Sequence, residues 1–551
     1  MERLQRNAVP LLLGAALLSA AVLVYALSTD LTFFGDEWNV LLNKRDLSLD
    51  ALLEPHNEHL VAVPILIDQA LLHVFGMESA RPAQLVLIAF LSVTALLLFV
   101  YVRRRLGPWP ALAATVLVLF LGPAWEVLLW PFEITLVGAV GFGIAALLAL
   151  EREDGRGDVV AVGCLTLAIG FSNLGVVFIL AAAVAVLVGP REAWLRRSYV
   201  FLVPGALFAL WYLGWGNEAE SHISLRNVLA SPQSVLDSAA MALGSLAGLG
   251  VNLSTDQVDL GWGRVLLAAL AVGLACRALR GRGAERWLWP VAAALLASWF
   301  LTAFNLSEGR GPTSSRYQYA SCILVLMVLA NLFKGVRLDR TGLAALVALT
   351  ALALGPNLVQ LKSGSRFFEQ QTVLARSGTA AIEIARDTVD PGFQLNPEVA
   401  GTHTLVDVFA GPYLEAVDRH GSPAYTPAEL AAAPPDGRRQ ADVALARALG
   451  LATTIRPGAF RARAPRGCVE VPAGAAPAQG VRLRPGTTRI EVPPGPDAAI
   501  SLRRFATDGF PVSAPAVPGG SAAEVTVPRD RAPGWPWFLR VEAVQGARVC
   551  R

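Results

Sequence analysis

The sequence is poor in charged residues and contains almost no lysine. Only 16% of its 551 residues are charged, whereas soluble domains contain about 25%. Lysine occurs only at Lys44, Lys334 and Lys362, so most of the positive charge is carried by arginine. Because the arginines lie in short loops rather than along one face, they do not indicate a surface that binds nucleic acid.

Several common motifs are also missing. The sequence has no P-loop, no GxGxxG before a predicted helix and no CxxC pair, so it gives no indication of ATP hydrolysis, a Rossmann-type cofactor or structural zinc. Of its 5 cysteines, Cys164, Cys276 and Cys322 lie in apolar segments, where we expect them to be packing residues.

Apolar residues, by contrast, are abundant. They make up 54% of the chain, and its mean hydropathy is +0.50. Runs long enough, or nearly long enough, to cross a bilayer recur up to residue 359. These segments are 8–28, 83–102, 109–122, 132–150, 158–171, 174–189, 199–214, 264–279, 287–304, 318–333 and 341–359. The predicted fold class is a polytopic α-helical membrane protein with about eleven spans.

The loops between these segments alternate in charge, and an excess of arginine and lysine marks cytoplasmic loops. The basic loops lie near residues 103–105, 191–197, 277–286 and 334–340. This pattern predicts a cytoplasmic N-terminus, an extracytoplasmic C-terminal region, and outer loops at 29–82, 123–131, 215–263 and 305–317. Two apolar stretches do not fit the count. We expect 60–76 to lie at the interface and 235–253 to be interfacial or re-entrant.

An acidic pair, Asp36-Glu37, directly follows the first apolar segment. A carboxylate at the edge of a bilayer is costly and is usually functional, although acidic residues can also simply solvate a polar loop. We therefore predict Asp36 as a catalytic residue. Glu37 is the second candidate, because one of two adjacent side chains usually points away from the other.

The same outer loop continues to a polar cluster, His56-Asn57-Glu58-His59. Pro55 suits the first turn of a helix, in which His56 and His59 would share a face. This cluster could bind substrate, act as a general base or hold a divalent metal ion, with Glu58, His56 and His59 as candidate ligands. The spacing matches no standard zinc signature, which favours hydrogen bonding over a metal site.

Arginine and tyrosine stand together before the tenth apolar segment. An arginine at the outer edge of a span can hold two phosphate oxygens at once, so we predict that Arg316, Arg310 and Tyr317 bind a phosphate. Both residue types also serve as interfacial anchors. Glu126 and Glu133 flank aromatic residues in the second outer turn and are candidate sugar-binding residues, although an aromatic belt at the interface gives the same pattern.

After residue 360 the sequence changes character, which divides the chain into three predicted domains. Residues 1–360 form a transmembrane catalytic domain. Residues 361–463 form an extracytoplasmic region of helices and loops, with helical patterns at 379–387 and at 427–450. Residues 464–551 alternate apolar and polar side chains between Pro/Gly turns and predict a small β-sandwich.

Two cysteines, Cys468 and Cys550, bracket the predicted sandwich. Disulfides form in oxidising compartments, and this region is predicted to lie outside the cytoplasm. We therefore expect a disulfide that ties the last strand of the sandwich to the first.

The first 360 residues resemble the GT-C superfamily of integral membrane glycosyltransferases, which use lipid-phosphate-linked sugars. The resemblance rests on the apolar first helix with Asp36-Glu37, the outer loop ending in His56-Asn57-Glu58-His59, about eleven spans, and Ser315-Arg316-Tyr317 near the last spans. Similar members are the dolichyl-phosphate-mannose protein mannosyltransferases and the bacterial aminoarabinose transferases.

The resemblance implies a reaction. A polyprenyl-phosphate-linked sugar would be the donor, and a hydroxyl on a glycan, protein or lipid the acceptor. Asp36 would deprotonate that hydroxyl, and Arg316, with Arg310, would stabilise the leaving phosphate. A divalent metal would be optional, and the sandwich departs from the smaller members.

Three other functions fit part of the same pattern. A transporter or flippase for lipid-linked saccharides would also need many spans, but its charges should lie near the midplane and its halves should repeat. A polymerase should have its large outer loop between late spans, and an acyltransferase would act on the same membrane face. A non-catalytic cell-envelope scaffold would tolerate loss of Asp36.

Overall fold

Helices dominate the chain up to Ala448, and strands dominate after it. The structure, a computed structural model, describes residues 2–219, 222–255, 257–279, 285–307, 309–461, 467–473 and 480–550. Arg280 and Arg282 of the predicted 277–286 loop lie outside the described residues, as does the predicted domain boundary after residue 463.

The described helices and strands are as follows. The helices are α1 (Glu2–Ser28), α2 (Asp36–Asn43), α3 (Leu49–Leu53), α4 (Ala62–Phe75), α5 (Arg81–Leu106), α6 (Pro108–Leu119), α7 (Trp125–Leu129), α8 (Ile134–Leu150), α9 (Gly155–Phe171), α10 (Gly175–Leu187), α11 (Trp194–Arg197), α12 (Tyr199–Gly214), α13 (Leu225–Leu246), α14 (Gly261–Leu279), α15 (Leu288–Phe304), α16 (Ser315–Leu332), α17 (Arg340–Ile384), α18 (Pro397–Ala400), α19 (Ala410–His420), α20 (Pro427–Ala432) and α21 (Pro435–Ala448). The strands are β1 (Val251–Asn252), β2 (Gln257–Val258), β3 (Thr453–Arg456), β4 (Cys468–Val471), β5 (Val481–Arg482), β6 (Gly486–Glu491), β7 (Ala498–Arg503), β8 (Val512–Val517), β9 (Ala522–Val527), β10 (Phe538–Glu542) and β11 (Ala547–Cys550).

The chain divides into two compact units, each built from separate segments. Unit 1 comprises Met1–Asp30, Asp46–Ala70 and Arg81–Phe367. Unit 2 comprises Leu31–Arg45, Leu71–Ala80 and Phe368–Arg551. The acidic pair of the first outer loop therefore belongs to the unit that contains the C-terminal region.

Each apolar segment predicted from the sequence contains a described helix, from α1 to the first part of α17. By length and composition, 5 of the described helices could cross a membrane, or 6 if α6 and the bent stretch Gly122–Leu129 form one span. The helices α10 and α15 are apolar but shorter. The helical fold class is thus borne out, whereas the count of about eleven spans is not confirmed.

The stretch 235–253 begins within α13, a helix of 22 residues that contacts α14, α15 and α16. Its interfacial or re-entrant placement stays a prediction. Small side chains such as Ala240 and Gly244 allow this approach: a Cβ atom on Gly263 of α14 would lie 2.0 Å from the carbonyl oxygen of Ala240. The small residues therefore pack a helix between its neighbours.

The loops predicted to lie outside contact one another at one end of unit 1. The Oδ1 atom of Asn173, in the turn before α10, accepts the N–H of Leu60 at 3.0 Å. The Nδ2 atom of Asn227, at the start of α13, donates to the carbonyl oxygens of Phe304 and Leu306, both at 3.1 Å. These bonds join the loops in two pairs, and the ion pair between Glu58 and Arg310 joins the pairs.

The loops predicted to be cytoplasmic meet in a second group. Arg105 is buried and ion-paired with Glu151, and its carbonyl oxygen accepts the N–H of Gly335 at 3.4 Å. Arg197 and Asp158 form a buried ion pair, with Nε of Arg197 2.9 Å from Oδ2 of Asp158. These contacts bring together the loops near residues 103–105, 151–158, 191–197 and 334–340. Which group faces the cytoplasm stays a prediction.

Unit 2 ends in two antiparallel sheets. One has the strand order β5-β10-β7-β8 and the other β3-β9-β6-β11-β4. Buried side chains of both sheets, such as Leu502 and Val525, belong to one apolar cluster, as expected for a sandwich. Cys468 and Cys550 are directly opposite each other in the β4–β11 pair and form a disulfide.

Two helices, α20 and α21, lie within the stretch 427–450 that the sequence predicts to be helical. Thr426 caps α20: its hydroxyl accepts the N–H of Glu429 at 3.3 Å, and the Glu429 carboxylate accepts the N–H of Thr426 at 2.8 Å. Pro434 separates α20 from α21. Asp442 of α21 accepts backbone N–H groups from the end of β7, at 2.8 Å from Phe505 and 2.8 Å from Arg504. A buried carboxylate thus joins this helix to the sandwich.

Candidate active site

The first group of charged side chains surrounds Glu58, at the end of unit 1 where the loops predicted to be outer contact one another. The carboxylate of Glu58, 19% exposed, forms an ion pair with the guanidinium of Arg310. Two imidazoles lie farther away: Nε2 of His222 is 3.6 Å from one carboxylate oxygen, and Nε2 of His59 is 3.9 Å from the other. Asn173 fixes the backbone here, because its Nδ2 atom donates to the carbonyl oxygen of Glu58.

Residues 56–59 form a tight hairpin turn, so the helical turn predicted to begin at Pro55 is wrong. The N–H of His56 donates to the carbonyl oxygen of His59 at 3.0 Å, and the reverse bond is 2.9 Å long. Asn57 has a φ of +52°, in the left-handed region that asparagine tolerates. Residues paired across a hairpin share a face. The turn therefore places His56 and His59 on one face, as the predicted helix would have done.

The three candidate metal ligands do not converge in the structure. The ring of His56 packs edge-on against Phe132, with 5.4 Å between the ring centres. The carboxylate of Glu58 is held by Arg310. Within the described part of the chain, no group of three or more His, Cys, Asp or Glu side chains could hold a metal ion. The residues therefore fit hydrogen bonding better than metal binding.

A second ion pair joins α7 to α16. The Nε atom of Arg316 is 3.2 Å from Oε2 of Glu126, and the N–H of Glu126 donates to the hydroxyl of Ser315 at 3.1 Å. The guanidinium carbon of Arg316 lies 6.0 Å from a ring centre of Trp130. Because α7 begins at Trp125 and α16 at Ser315, these contacts fix the first turns of the two helices to each other.

The remaining charged candidates complete this group. Glu133 is 4% exposed and immediately precedes α8. Tyr317, in the first turn of α16, lies close to Arg316, Arg310, Glu58 and Glu133. Unit 1 thus brings together the predicted residues Glu58, Glu126, Glu133, Arg310, Arg316 and Tyr317.

A cavity of about 320 Å³ lies beside the second ion pair, a size at the lower end of ligand sites. Its walls come from α7, α13, the β1–β2 hairpin, the loop before α16, and α17. Hydroxyl, amide and carboxylate groups lie among aromatic and aliphatic side chains. The lining residues that matter most below are Trp125, Glu126, Ser315, Gln360, Ser363 and Phe367.

Two glycines allow α17 to pack closely against the residues 122–125 that precede and begin α7. A Cβ atom on Gly122 would lie 2.1 Å from the carbonyl oxygen of Asn357, and one on Gly364 would lie 2.4 Å from Cγ of Trp125. Asn357 holds the first contact, because its Oδ1 atom accepts the N–H of Gly122 at 2.8 Å. Close packing of the α17 backbone therefore places Trp125 in the cavity wall.

Asp36 and Glu37 lie in unit 2, at the N-terminus of α2. Gly35 precedes them with φ +54° and ψ −122°, a conformation that favours glycine. The Oε2 atom of Glu37 accepts the N–H of Phe34 at 2.8 Å. Glu37 is buried, whereas Asp36 is partly exposed. Glu37 therefore closes the turn, and Asp36 is the more accessible carboxylate.

The segment that carries the acidic pair is anchored to the second half of α17. The N–H of Thr32 donates to the hydroxyl of Thr372 at 3.2 Å. The ring of Phe34 packs edge-on against Phe368, with 4.9 Å between the ring centres. Trp38 is fully buried in the apolar cluster of unit 2. These contacts give Asp36 a fixed local backbone.

Sequence reasoning missed two residues of the site. Gln360 lines the cavity, and His222 approaches Glu58. Gln360 gave a weak signal, because it follows Asn357 by three residues at the end of an apolar run and would share its helix face. His222 gave none, since it lies in an irregular loop with other polar residues.

Comparison with known proteins gives a short result. No family model matches the chain, and no curated protein matches it significantly. Among solved structures, ArnT from Cupriavidus metallidurans bound to undecaprenyl phosphate is 13% identical over 72% of this chain and 84% of that chain, with a TM-score of 0.46. The apo state of ArnT is 14% identical over 72% and 83%, with a TM-score of 0.44.

Proposed function

We propose that this protein is a membrane glycosyltransferase that moves a monosaccharide from a polyprenyl-phosphate donor to a hydroxyl group of an acceptor. The observation that carries the proposal is the cavity of unit 1, where polar and aromatic side chains lie beside the Glu126–Arg316 ion pair. Walls of this mixed kind suit a small polar ligand, and a guanidinium suits phosphate.

Arg316 and Arg310 are assigned to the donor phosphate, together with Tyr317. Each guanidinium is already held by a carboxylate, Glu126 or Glu58. Cations positioned before the reaction stabilise the negative charge that grows on the leaving phosphate without further reorganisation. Glu133, His59 and His222 complete the polar surroundings and are proposed to bind substrate, while Asn57 and His56 shape the turn that presents Glu58.

Asp36 is assigned as the general base. Its carboxylate removes the proton of the acceptor hydroxyl while that oxygen attacks the anomeric carbon of the sugar. The bond between this carbon and the phosphate oxygen breaks, the configuration inverts, and the polyprenyl phosphate leaves with the electron pair. Glu37 supports Asp36 indirectly, because its bond to the N–H of Phe34 holds the turn.

Sugar transfer by the purified full-length protein in lipid tests this assignment. The donors are a panel of radiolabelled polyprenyl-phosphate sugars, and native membrane supplies the acceptor. Asp36→Asn should lower the rate at least about 100-fold, since a positioned base contributes this much or more. Asp46→Asn, which changes an exposed carboxylate nearby in sequence, is the matched control and should leave the rate unchanged.

Arg316→Ala should lower the rate roughly 100-fold or more, because it removes a preorganised cation. Arg264→Ala breaks an exposed ion pair with Asp237 and serves as its control. The proposal is wrong if no donor supports transfer and the Asp36→Asn variant still complements a deletion strain, since a transporter or a scaffold would then fit better.

A further inference from the structure

The sheet β5-β10-β7-β8 of the sandwich has a positively charged outer face. Along β10, the side chains of Phe538, Arg540 and Glu542 alternate with buried ones and therefore point away from the apolar cluster. Residues directly opposite each other in neighbouring strands share a face, and Arg482 of β5 and Arg503 of β7 are both opposite Phe538. Among the described strand residues, this face thus carries three arginines and one glutamate, a grouping that the sequence alone did not reveal.

The other sheet of the sandwich balances its charges. Three arginines on its outer face form ion pairs with three glutamates, at N–O distances of 2.8, 2.9 and 3.4 Å. The pairs are Arg456–Glu524, Arg489–Glu491 and Arg548–Glu470. The excess of positive charge is therefore a property of one face and not of the sandwich as a whole.

Aromatic rings position two of these guanidiniums. The guanidinium carbon of Arg503 lies 4.7 Å from the ring centre of Phe510, in the loop after β7, and 5.6 Å from that of Phe538. The guanidinium carbon of Arg540 lies 5.7 Å from the ring centre of Phe510, and its Nη2 atom is 2.6 Å from Oε1 of Glu542. Contact with an aromatic ring restricts a guanidinium without using its N–H groups as donors. The two arginines are therefore ordered before any partner binds.

The chemistry of this face limits its partner. Guanidiniums favour carboxylate and other anionic groups, and the hydroxyls of Ser501 and Ser513, opposite each other in β7 and β8, can bond to neutral hydroxyl groups. The rings of Phe510 and Phe538 are partly buried, whereas a surface that inserts into a bilayer exposes its apolar side chains. A partner with both acidic and hydroxyl groups therefore fits better than a membrane.

The spacing of the arginines favours an extended partner. Neighbouring strands lie about 4.8 Å apart. Arg482 and Arg503 lie on the two strands that flank β10, so their backbones are roughly 10 Å apart across the sheet. A chain that carries acidic groups at regular intervals can reach both arginines, whereas one small anion cannot.

We propose that this face binds an acidic polysaccharide. Its carboxylate groups pair with the three arginines, and its hydroxyl groups bond to Ser501 and Ser513. The residues of this face are not part of the candidate active site, so this binding is separate from sugar transfer and goes beyond the proposed function.

Binding is measured with the full-length protein in nanodiscs of phosphatidylcholine, by biolayer interferometry. The probes are polygalacturonate as the acidic polysaccharide, dextran as an uncharged one, and polyglutamate as an acidic polypeptide. Polygalacturonate should bind more tightly than polyglutamate, and dextran should not bind. Because salt screens exposed charges, the affinity for polygalacturonate should fall as the salt concentration rises.

A double variant tests the arginines of the face. Arg482→Gln combined with Arg540→Gln should weaken binding of polygalacturonate about 5- to 10-fold, since each exposed charge pair contributes a few-fold. Arg456→Gln combined with Arg531→Gln is the matched control and should leave binding unchanged. These two arginines are 57% and 53% exposed and form ion pairs with Glu524 and Asp387, away from this face.

A third variant should strengthen binding, which a folding defect cannot imitate. Glu542→Gln removes the glutamate of this face and should raise the affinity for polygalacturonate roughly 2-fold or more. Glu470→Gln, which changes a 71% exposed glutamate on the other sheet, is its control and should leave the affinity unchanged.

Three outcomes would overturn the inference. The first is that polygalacturonate does not bind to the wild type, and the second is that the double arginine variant binds it as tightly as the wild type. The third is that polyglutamate, or vesicles of phosphatidylglycerol, bind more tightly than polygalacturonate and lose affinity in the double variant. This last outcome would assign the face to an acidic protein or to a membrane surface.

Discussion

Asp442 shows how one buried carboxyl group can make stability depend on pH. It is fully buried and accepts three backbone N–H groups from the end of β7. Burial raises its pKa to about 6, although these donors and Arg504 act to lower it. The folded state therefore holds the proton more tightly than the unfolded chain, whose carboxyl groups titrate near pH 4.

The sign of the effect follows from this difference. The contribution of Asp442 to the free energy of unfolding is present below about pH 4 and is lost as the pH rises to about 6. Asn at this position does not titrate. We expect the stability of the wild type relative to Asp442→Asn to be about 1–3 kcal/mol more favourable at pH 4 than at pH 7. Urea unfolding of the full chain, followed by tryptophan fluorescence, measures it, and a constant difference would contradict the prediction.

The charged residues of the site were predictable from the sequence because charge is rare beside apolar runs. Glu58, Glu126, Arg310 and Arg316 stand out on that ground alone, and unit 1 brings them together in two ion pairs. Gln360 was not predictable, because one neutral amide in a helix gives no periodic signal. The contacts of its amide are set by the tertiary fold, which no local sequence pattern predicts.

At the scale of elements, α17 offers a direct test of the cavity wall. Gly364 has no room for a side chain, since a Cβ atom there would lie 2.4 Å from the ring of Trp125. Gly364→Ala should displace that ring and lower sugar transfer at least about 10-fold, because small displacements of positioning groups are costly to catalysis. Steady-state transfer kinetics measure the effect.

Gly355 is the matched control on the same helix. A Cβ atom there meets nothing within 4 Å, so Gly355→Ala should leave transfer unchanged and raise stability by up to about 1 kcal/mol, the difference in helix propensity. Equal losses of transfer in both variants would mean that α17 tolerates no alanine and would contradict the specific role of Gly364.

Elements with one strong local signal were the ones that sequence reasoning found. Apolar runs predicted the helices of unit 1, and the helical pattern at 427–450 predicted α20 and α21. The turn at 56–59 was predicted as a helix, because Pro55 suits the start of a helix as well as a turn. In the structure Asn57 has a positive φ, which is compatible with the turn and not with a helix. The small residues of α13 interrupt its apolar pattern, and in the structure they allow close contact with α14.

At the scale of the whole molecule, the two groups of loops in unit 1 allow a test of orientation. Single cysteines are introduced at exposed positions in a Cys276→Ser background, one as Ser254→Cys at the β1–β2 hairpin and one as Arg156→Cys in the first turn of α9. We expect a membrane-impermeant maleimide to label the first in intact cells and the second only after permeabilisation, as the arginine-rich loops predict. The reverse pattern would mean that the orientation is inverted.

The disulfide concerns the stability of the sandwich as a whole. Cys468 and Cys550 join its edge strand β4 to β11, with a sequence separation of 82. Replacing both by serine should lower the free energy of unfolding of this region by about 2–4 kcal/mol, measured by limited proteolysis of the full chain across a urea series. Cys276→Ser, which changes an exposed free cysteine, is the control, and equal proteolysis of both variants would argue against a stabilising bond.

The discontinuous make-up of unit 2 has a consequence for biosynthesis. The residues around Asp36 leave the ribosome early, but the side chains that bury Trp38 belong largely to the stretch after residue 368. The segment that carries the acidic pair therefore cannot pack into its apolar cluster until the last third of the protein has been translated. A chain that stops before residue 368 keeps Asp36 but lacks most of the apolar cluster around Trp38, so we expect unfinished copies of the protein to lack an ordered segment around the acidic pair.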